Sequence, residues 1–424
     1  MLFLSTTRDA NKKCFKSTKM KKAFFLYVFI IVSGDSFGQI CSQCASMGLA
    51  KYEAHDYNGA IAEYSKAIAL NEADATAYYN RGNAKYKLED YKGAIADYTK
   101  AIAVNPSDLE SYYNRGLTKY NTNDYAGALE DFTTAIKIKP SEARNYYNRG
   151  ITQFKLKSYE AAMADYTLAL HFNPAYAKAY YGLGVTEAIL TRHEDAIADF
   201  NNAIEADLKY AEAYYSRGSS KAAIAKYPEA IADFTKAIEL DKNYAEAYYN
   251  RGHIKAKLGD DKGALEDYDI SLKINPENGY AYYNRGIAKN NTRDFRGAVS
   301  DFTIALDYDN RNAEAYNNRG FAKDELKNYT GAIGDYTKAL GINPQYTDAY
   351  NNRGVSKEAL EDYTGAITDF DSAITLNPKY AEAYFNRGLA KIALNQKNDG
   401  CRDLSKAGKL GFEKAYEIMK VDCK

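Results

Sequence analysis

Asparagine, arginine and glycine recur together every 34 residues, and two of these residue types could do chemistry. An asparagine amide both donates and accepts hydrogen bonds, so a row of them can hold an extended peptide backbone whatever its side chains. An arginine guanidinium binds a carboxylate through two parallel hydrogen bonds. The asparagines of this triplet are Asn80, Asn114, Asn148, Asn250, Asn284, Asn318, Asn352 and Asn386.

Tyrosines directly precede most of these asparagines, and exposed aromatic rings are typical of binding interfaces. The sequence therefore predicts a peptide-binding stripe made of both residue types. The competing interpretation is that the asparagines bond only within or between their own helices. The tyrosines of the stripe are Tyr79, Tyr113, Tyr147, Tyr249 and Tyr283, with Tyr181 and Tyr215 in the same register.

The arginine of each triplet is followed 16 residues later by an acidic residue. A half-buried arginine without a partner is costly, so we predict a ladder of Arg–Asp ion pairs that serves packing rather than catalysis. The spacing leaves open whether Arg285 pairs with Asp301 of its own repeat or Asp267 of the one before. The arginines are Arg81, Arg115, Arg149, Arg217, Arg251, Arg285, Arg319, Arg353 and Arg387, and the acids include Asp97, Asp131, Asp267, Asp301, Asp335 and Asp369.

Residues that could form a catalytic or metal site are scattered. The four histidines, His55, His171, His193 and His253, show no spacing typical of metal ligands, and no glycine-rich phosphate loop is present. The carboxylates repeat identically, as scaffold residues do, whereas an active site is single. We predict no enzymatic activity, no metal and no cofactor.

The elements that position these residues follow from the 34-residue period. Eleven registers fit without a gap, from 41–74 to 381–414. Each contains two amphipathic stretches with apolar residues at helical spacing, separated by polar breaks such as Gly259-Asp260. Asn-Pro pairs, as at 105–106 and 275–276, end the second stretch because proline cannot continue a helix. The sequence predicts an all-α solenoid of helix–turn–helix units.

Position by position, the unit resembles the tetratricopeptide repeat, counting from the first residue of each register. Gly stands at position 8 in all eleven units, Ala at position 20 in ten, and Tyr at position 4 from Tyr78 to Tyr384. The resemblance implies a right-handed superhelical solenoid whose first helices line a groove, with positions 2, 5, 6, 9, 12 and 13 facing it. It also implies a non-enzymatic scaffold that binds protein or peptide in that groove. The alternative is a structural subunit of an envelope or outer-membrane assembly, bound through its edges or convex face.

The fifth unit departs from the pattern, with Gly182, Leu183 and Glu187 where other units have Asn, Arg and Lys. This change is consistent either with sequence drift or with a contact to a partner or second copy.

The N-terminus is typical of an export signal. A basic start at Met20-Lys21-Lys22 precedes an apolar run from Ala23 to Val32, and cleavage is expected after Gly38. We divide the chain into a leader, 1–38, eleven repeats, 39–414, and a C-terminal capping helix or tail, 415–424. The expected location is periplasmic, outer-membrane-associated or secreted, with no membrane span after cleavage.

Charge and cysteine content complete the expectations. The chain has 56 basic and 56 acidic residues, so nothing favours a nucleic-acid partner. Four cysteines follow the leader, an even number that suggests disulfides in an exported protein. Because the stack separates its two ends, we favour Cys41–Cys44 and Cys401–Cys423 over the other pairings. Cys41-x-x-Cys44 also resembles a redox motif, which the absence of a strand-rich redox fold disfavours.

Overall fold

The computed structural model describes residues 34–423, and the side chains of 42–423. Every regular element in this part of the chain is a helix, which confirms the all-α prediction. The first helices of the units are α1 Gly34–Glu53, α3 Ala75–Lys87, α5 Leu109–Asn121, α7 Ala143–Lys155, α9 Ala177–Ile189, α11 Ala211–Ala223, α13 Ala245–Lys257, α15 Gly279–Asn291, α17 Ala313–Glu325, α19 Thr347–Ala359 and α21 Ala381–Ala393. The second helices are α2 Tyr57–Leu70, α4 Tyr91–Val104, α6 Tyr125–Ile138, α8 Tyr159–Phe172, α10 His193–Ala206, α12 Tyr227–Leu240, α14 Asp261–Ile274, α16 Phe295–Tyr308, α18 Tyr329–Ile342, α20 Tyr363–Leu376 and α22 Lys397–Lys409, and α23 is Lys414–Asp422.

The described residues form two compact bodies, 34–190 and 191–423. In the first body, α1 to α9 stack in chain order, each helix packing on the next. In the second body, α10 to α23 do the same. Helix packing is therefore local in sequence within each body, as the 34-residue period predicts.

Local residue chemistry sets the helix ends. Most second helices begin after an Asp or Asn that caps the helix, as where the Gly297 amide donates to Asp294 Oδ1 at 3.0 Å. The residue before this cap has a positive φ, in the left-handed region of backbone conformation, and reverses the chain. This residue is a glycine, Gly259, in unit 7 and a non-glycine residue in the other ten units. The Asn-Pro prediction is confirmed, because α4 ends at Val104 and α14 ends at Ile274.

A close contact between the two helices of each unit forms the core. An added Cβ on Gly286 would lie 2.9 Å from Cε1 of Phe302, so the position-8 glycine lets the aromatic ring of the second helix lie against the first-helix backbone. Phe302 and the neighbouring Ala298 are fully buried. The small residues at positions 8 and 20 are thus required by the distance between the helices.

The C-terminal end is closed by α23. Ala415 of this helix is buried against Phe385, Leu404 and Ala407 of the last unit. A disulfide joins Cys401 of α22 to Cys423, with a Cα–Cα distance of 5.8 Å. The structure therefore contains the second of the two predicted cysteine pairs.

The N-terminal predictions lie largely outside the described residues. The apolar run of the expected leader precedes residue 34, and the side chain of Cys41, needed to test a Cys41–Cys44 bond, is not described. Helix α1 begins at Gly34 and continues past the expected cleavage point after Gly38. Between residues 34 and 423, no helix combines the length and apolar character that crossing a bilayer requires.

Candidate functional site

The predicted arginines and aspartates lie against each other within each repeat. In unit 2, Arg81 Nε donates to Asp97 Oδ2 at 2.9 Å and Nη2 donates to Oδ1 at 2.7 Å. Asp97 is only 3% exposed, so its charge depends on these partners. The same two-bond contact recurs for Arg115, Arg149, Arg217, Arg251, Arg285, Arg319, Arg353 and Arg387 with the acid 16 residues later.

The geometry decides the question that the spacing left open. Arg285 binds Asp301 of its own unit, and its third nitrogen, Nη1, donates to Asp269 of the preceding unit at 2.7 Å. Asp269 is at position 25, where unit 10 also has an aspartate, Asp371, which accepts from Arg387 Nη1. The other units place a Ser, Thr or Asn there, as in the bond from Arg319 Nη1 to Thr303 Oγ1 at 3.0 Å. The arginine therefore links both helices of its own unit to the second helix of the unit before.

Two further groups complete this arrangement. The position-11 lysine binds the same carboxylate, as for Lys289 Nζ and Asp301 Oδ2 at 2.8 Å. The guanidinium also lies over the position-4 ring, with Arg285 Cζ 5.3 Å from the centroid of Tyr282. Each of the three guanidinium nitrogens of Arg285 donates a hydrogen bond inside the stack. These residues hold the fold together.

The asparagines also bond within the stack, but only through their nitrogen. Asn148 Nδ2 donates to the hydroxyl of Tyr113 in the preceding unit at 3.0 Å and to the carbonyl of Arg144 at 2.8 Å. Asn250 and Asn284 make the same bond to the equivalent tyrosine of the preceding unit, Tyr215 and Tyr249. Within residues 42–423, no group donates to the Oδ1 atoms of Asn148 and Asn284. The row is therefore an acceptor row, not the donor-and-acceptor row that residue type alone suggests.

In the last units the asparagine partner changes. Position 5 is Asn317 in unit 9 and Asn351 in unit 10. Asn352 Nδ2 donates to Asn317 Oδ1 at 3.2 Å, and Asn386 Nδ2 donates to Asn351 Oδ1 at 3.1 Å. Asn318 bonds to Tyr283, as in the earlier units. Asn80 follows a unit with Ala45 at position 5, so this bond has no partner there.

A cavity of about 310 Å³ lies on the first-helix face of units 1 to 3. Its wall is mainly aromatic, with amide groups at its base, which suits a side chain of a bound polypeptide. The lining residues are Tyr52, Tyr79, Asn83, Tyr86, Lys87, Tyr98, Asn114 and Leu117.

A hydrogen-bond network fixes the base of this cavity. Asn83 Oδ1 accepts from the Tyr98 hydroxyl at 2.8 Å and from Asn114 Nδ2 at 3.0 Å. Burial raises the pKa of Tyr98 above its ordinary value of 10, so this hydroxyl stays protonated and donates. Asn83 Nδ2 donates to no group within residues 42–423. It is a donor available to a ligand beside the acceptor row.

Several residues of the cavity were missed by repeat-based reasoning. Position 12 is aromatic only in Tyr52, Tyr86, Tyr120 and Phe154, and Asn83 is the only asparagine at position 9. These residues vary between units, whereas the prediction relied on residues that recur. A comparison of units for exceptions on the first helices would have indicated them.

The first helix of the divergent fifth unit ends the first body. Leu183 is buried against Ala162 and Tyr166, so an apolar contact replaces the arginine contacts in this part of the first body. An added Cβ on Gly182 would lie 2.8 Å from Cζ of Tyr166, and the glycine accommodates that ring. Glu187 also has interactions in the stack.

Family models match the chain in many units. One described as "Tetratricopeptide repeat" matches residues 75–108, 245–278 and 313–346, and another of the same description matches 113–177 and 147–211. A third, "TPR repeat", matches 48–89, 226–259 and 358–394. No curated protein matches the chain.

Solved structures of similar proteins include a MamA protein, 27% identical over 41% of this chain and 94% of its own, with a TM-score of 0.37. The protein YrrB, described as "a TPR protein with an unusual peptide-binding site", is 24% identical over 44% of this chain and 97% of its own, with a TM-score of 0.39. A tetratricopeptide repeat protein from Parabacteroides merdae is 19% identical over 59% of this chain and 99% of its own, with a TM-score of 0.47.

The family models together extend over most of the repeat region. The matches of the first model coincide with whole units of the helix pairs, beginning at residues 75, 245 and 313. The chain therefore belongs to the tetratricopeptide repeat family.

Proposed function

We propose that this protein is a non-enzymatic scaffold that binds an extended segment of another protein on its first-helix face. Tetratricopeptide repeats are in general protein-interaction scaffolds. The observation that supports the proposal here is the aromatic cavity of units 1 to 3, whose Tyr52, Tyr86 and Asn83 have no equivalents of the same type in units 5 to 11. Its base presents a free donor, Asn83 Nδ2, beside the acceptor oxygens of the asparagine row.

The proposed contacts follow from these atoms. A side chain of the bound segment enters the cavity between Tyr52 and Tyr86. Backbone N–H groups of the same segment donate to the Oδ1 atoms of the asparagines, and a backbone carbonyl accepts from Asn83. Main-chain bonds then supply affinity and the cavity supplies selectivity, as in other modes of peptide recognition.

A library of random 12-residue peptides displayed on phage, selected on the full repeat region, tests this proposal. We expect the selected peptides to lose affinity in two variants. Tyr86→Ala removes one wall of the cavity, and Asn83→Leu replaces the hydrogen-bond donor with leucine, the residue that unit 3 has at the equivalent position, Leu117. The matched control is Lys92→Ala with Lys100→Ala, two exposed residues on α4 of the same unit. Binders that ignore both first-helix variants and respond to the control would instead favour assembly through the second helices.

We further propose that the mature protein is exported. The Cys401–Cys423 bond supports this, because disulfides persist in oxidising compartments outside the cytosol. The signal-like sequence after Met20 points the same way. N-terminal sequencing of the protein from fractionated cells is the test. We expect Gln39 as the first residue, in an envelope or secreted fraction, and a cytosolic chain that begins at Met1 or Met20 would contradict export.

A further inference from the structure

The first helices of units 9 to 11 carry acidic side chains and no basic ones at the positions expected to face a ligand. None of these carboxylates forms an ion pair within residues 42–423, in contrast to the position-23 acids, which bind Arg and Lys. The acidic side chains are Glu314, Asp324, Glu325, Asp348, Glu358 and Glu382. An unpaired set of like charges destabilises the fold, so its presence calls for another explanation.

Three of these acids alternate with tyrosines along one edge, and we name the five residues the acidic ridge: Glu314, Tyr346, Asp348, Tyr380 and Glu382. Tyr346 lies near both Glu314 and Asp348, and burial together with these two charges raises the pKa of its hydroxyl. Tyr380 donates to Asp348 and lies near Glu382. All three carboxylates are exposed, whereas both tyrosines are half-buried. The ridge therefore presents negative charge and aromatic surface side by side.

Unit 3 shows what binds to the same register elsewhere in the chain. Glu110, at position 2 like Glu314, Asp348 and Glu382, forms an ion pair with Arg144. The guanidinium of Arg144 also lies over a tyrosine ring, with Cζ 4.4 Å from the centroid of Tyr113. An acid at position 2 with a neighbouring tyrosine thus holds an arginine side chain in this scaffold. Tyr176, at position 34 of unit 4, also lies near Arg144. On the acidic ridge the acids stand at position 2 and the tyrosines at position 34, but the chain supplies no arginine.

A second acidic group lies at the other end of the same first helices. Asp324 accepts from the hydroxyls of Ser356 at 2.7 Å and Tyr336 at 2.7 Å, and Glu358 has no hydrogen-bond partner within residues 42–423. Burial raises the pKa of Glu358. A cation from outside the chain would relieve the cost of this half-buried charge.

We propose that the acidic ridge binds an arginine-bearing extended segment of a partner protein. This inference rests on the proposed function and names the chemistry of the partner at one end of the scaffold. Arginine fits better than lysine, since its planar group can bind a carboxylate and stack on a tyrosine at once. Charge complementarity selects the occupant, because an acidic ridge repels nucleic acid and anionic lipid.

Fluorescence anisotropy with labelled 12-residue peptides tests the proposal on the full repeat region. The peptides alternate Ser with Arg, Lys, Gln or Glu. We expect the Arg peptide to bind most tightly, the Lys peptide more weakly, and the Gln and Glu peptides not measurably. The triple variant Glu314→Gln, Asp348→Asn, Glu382→Gln should weaken binding of the Arg peptide about tenfold, because it removes the charges and keeps the side-chain shapes.

The matched control is Glu205→Gln, Glu229→Gln, Glu266→Gln, which changes net charge equally at exposed second-helix residues. This control should bind the Arg peptide as the unchanged protein does. Equal weakening in both variants would show attraction by net charge alone and overturn the proposal. Equal binding of the Arg and Gln peptides would also overturn it.

The two proposals fail in different ways. Phage-selected peptides that lack basic residues, yet depend on Tyr86 and Asn83, would leave the scaffold function standing. If the Arg peptide also ignored the triple variant in that case, only the acidic ridge proposal would be wrong. A protein that selects no peptide on its first-helix face would contradict the scaffold function itself.

Discussion

Arg285 donates two hydrogen bonds to Asp301, from Nε to Oδ2 at 2.8 Å and from Nη2 to Oδ1 at 2.7 Å. Asp301 is 2% exposed, so this planar contact lies inside the repeat. A third bond, from Nη1, reaches Asp269 of the repeat before. The register between consecutive repeats is therefore specified by a charged contact as well as by apolar packing.

Removal of the carboxylate in one such contact should destabilise the stack strongly. Asp335→Ala leaves both Arg319 and Lys323 without their shared partner. We expect the free energy of unfolding, measured by urea denaturation, to fall by about 3–5 kcal/mol, the usual cost of an unpaired buried charge. The double variant Arg319→Leu, Asp335→Leu should lose less, because Leu183 already occupies the arginine position in unit 5. A loss below about 1 kcal/mol in Asp335→Ala would contradict a stabilising role.

Asn145 is a polar residue that the stack does not satisfy. It is 0% exposed, and neither its Nδ2 nor its Oδ1 atom has a hydrogen-bond partner within residues 42–423. Most other units have alanine at this position, such as Ala77. We expect Asn145→Ala to stabilise the protein by about 1–3 kcal/mol in the same urea assay, because an unsatisfied buried amide is removed.

The matched control for Asn145 is Ser111, at the same position of unit 3. Its hydroxyl donates to Asp108, so Ser111→Ala removes a satisfied bond and should not stabilise the protein. A stabilisation of equal size in both variants would indicate a general preference for alanine rather than relief of an unpaired amide.

The contact between Gly354 and Phe370 should not tolerate a methyl group. An added Cβ on Gly354 would lie 2.5 Å from Cε1 of Phe370. We expect Gly354→Ala to cost about 1–3 kcal/mol through overpacking, despite the better helix propensity of alanine. Unit 11 has Leu404 at the position equivalent to Phe370. In the double variant Gly354→Ala, Phe370→Leu, the smaller leucine should reduce the cost of the added methyl group. Additive losses in a double-mutant cycle would show that the ring is not the obstacle.

Glu358 should make stability depend on pH. Burial raises its pKa above the ordinary 4.5 in the folded state, so folding takes up a proton between the two values. The stability of the unchanged protein therefore falls as pH rises through this window, and the full penalty is present above it. Glu358→Gln should be more stable than the unchanged protein at pH 7, and the difference should disappear toward pH 4 in urea titrations. Glu266→Gln, at an exposed residue, is the control for the removal of one charge and is measured over the same pH range. A gain of equal size in both variants would contradict a specific role for Glu358.

Much of the fold could be predicted because each unit is built from local signals. The 34-residue period, the Asp and Asn caps, and the Asn-Pro stops all act within one helix pair, and the helices occur where these signals place them. The charge of Arg285 and its 16-residue spacing to Asp301 predicted that the two would pair. The Cys401–Cys423 bond was also predicted, because both cysteines lie at the same end of the stack.

Other features could not be read from one sequence. The asparagines were expected to present both hydrogen-bonding groups, but the nitrogens of Asn148 and Asn284 bond to Tyr113 and Tyr249 of the preceding unit. The third bond of Arg285, to Asp269, was not foreseen. Asp269 lies 16 residues before Arg285 and Asp301 lies 16 residues after it, so spacing alone does not show that the arginine binds both. The cavity around Asn83 depends on side chains from three units that differ from their equivalents elsewhere.

The sequence by itself determined the helix pairs, their number of repeats and the contact between Gly286 and Phe302, because these depend on spacing within one unit. Only the tertiary structure decided which edge of each polar side chain remains available, such as Asn83 Nδ2 in the cavity. It also decided that Glu314 and Asp348 lack the arginine that Glu110 binds. The physical reason is that hydrogen bonds and ion pairs between neighbouring units compete for the same atoms as a ligand, and that competition is resolved only when the units are stacked.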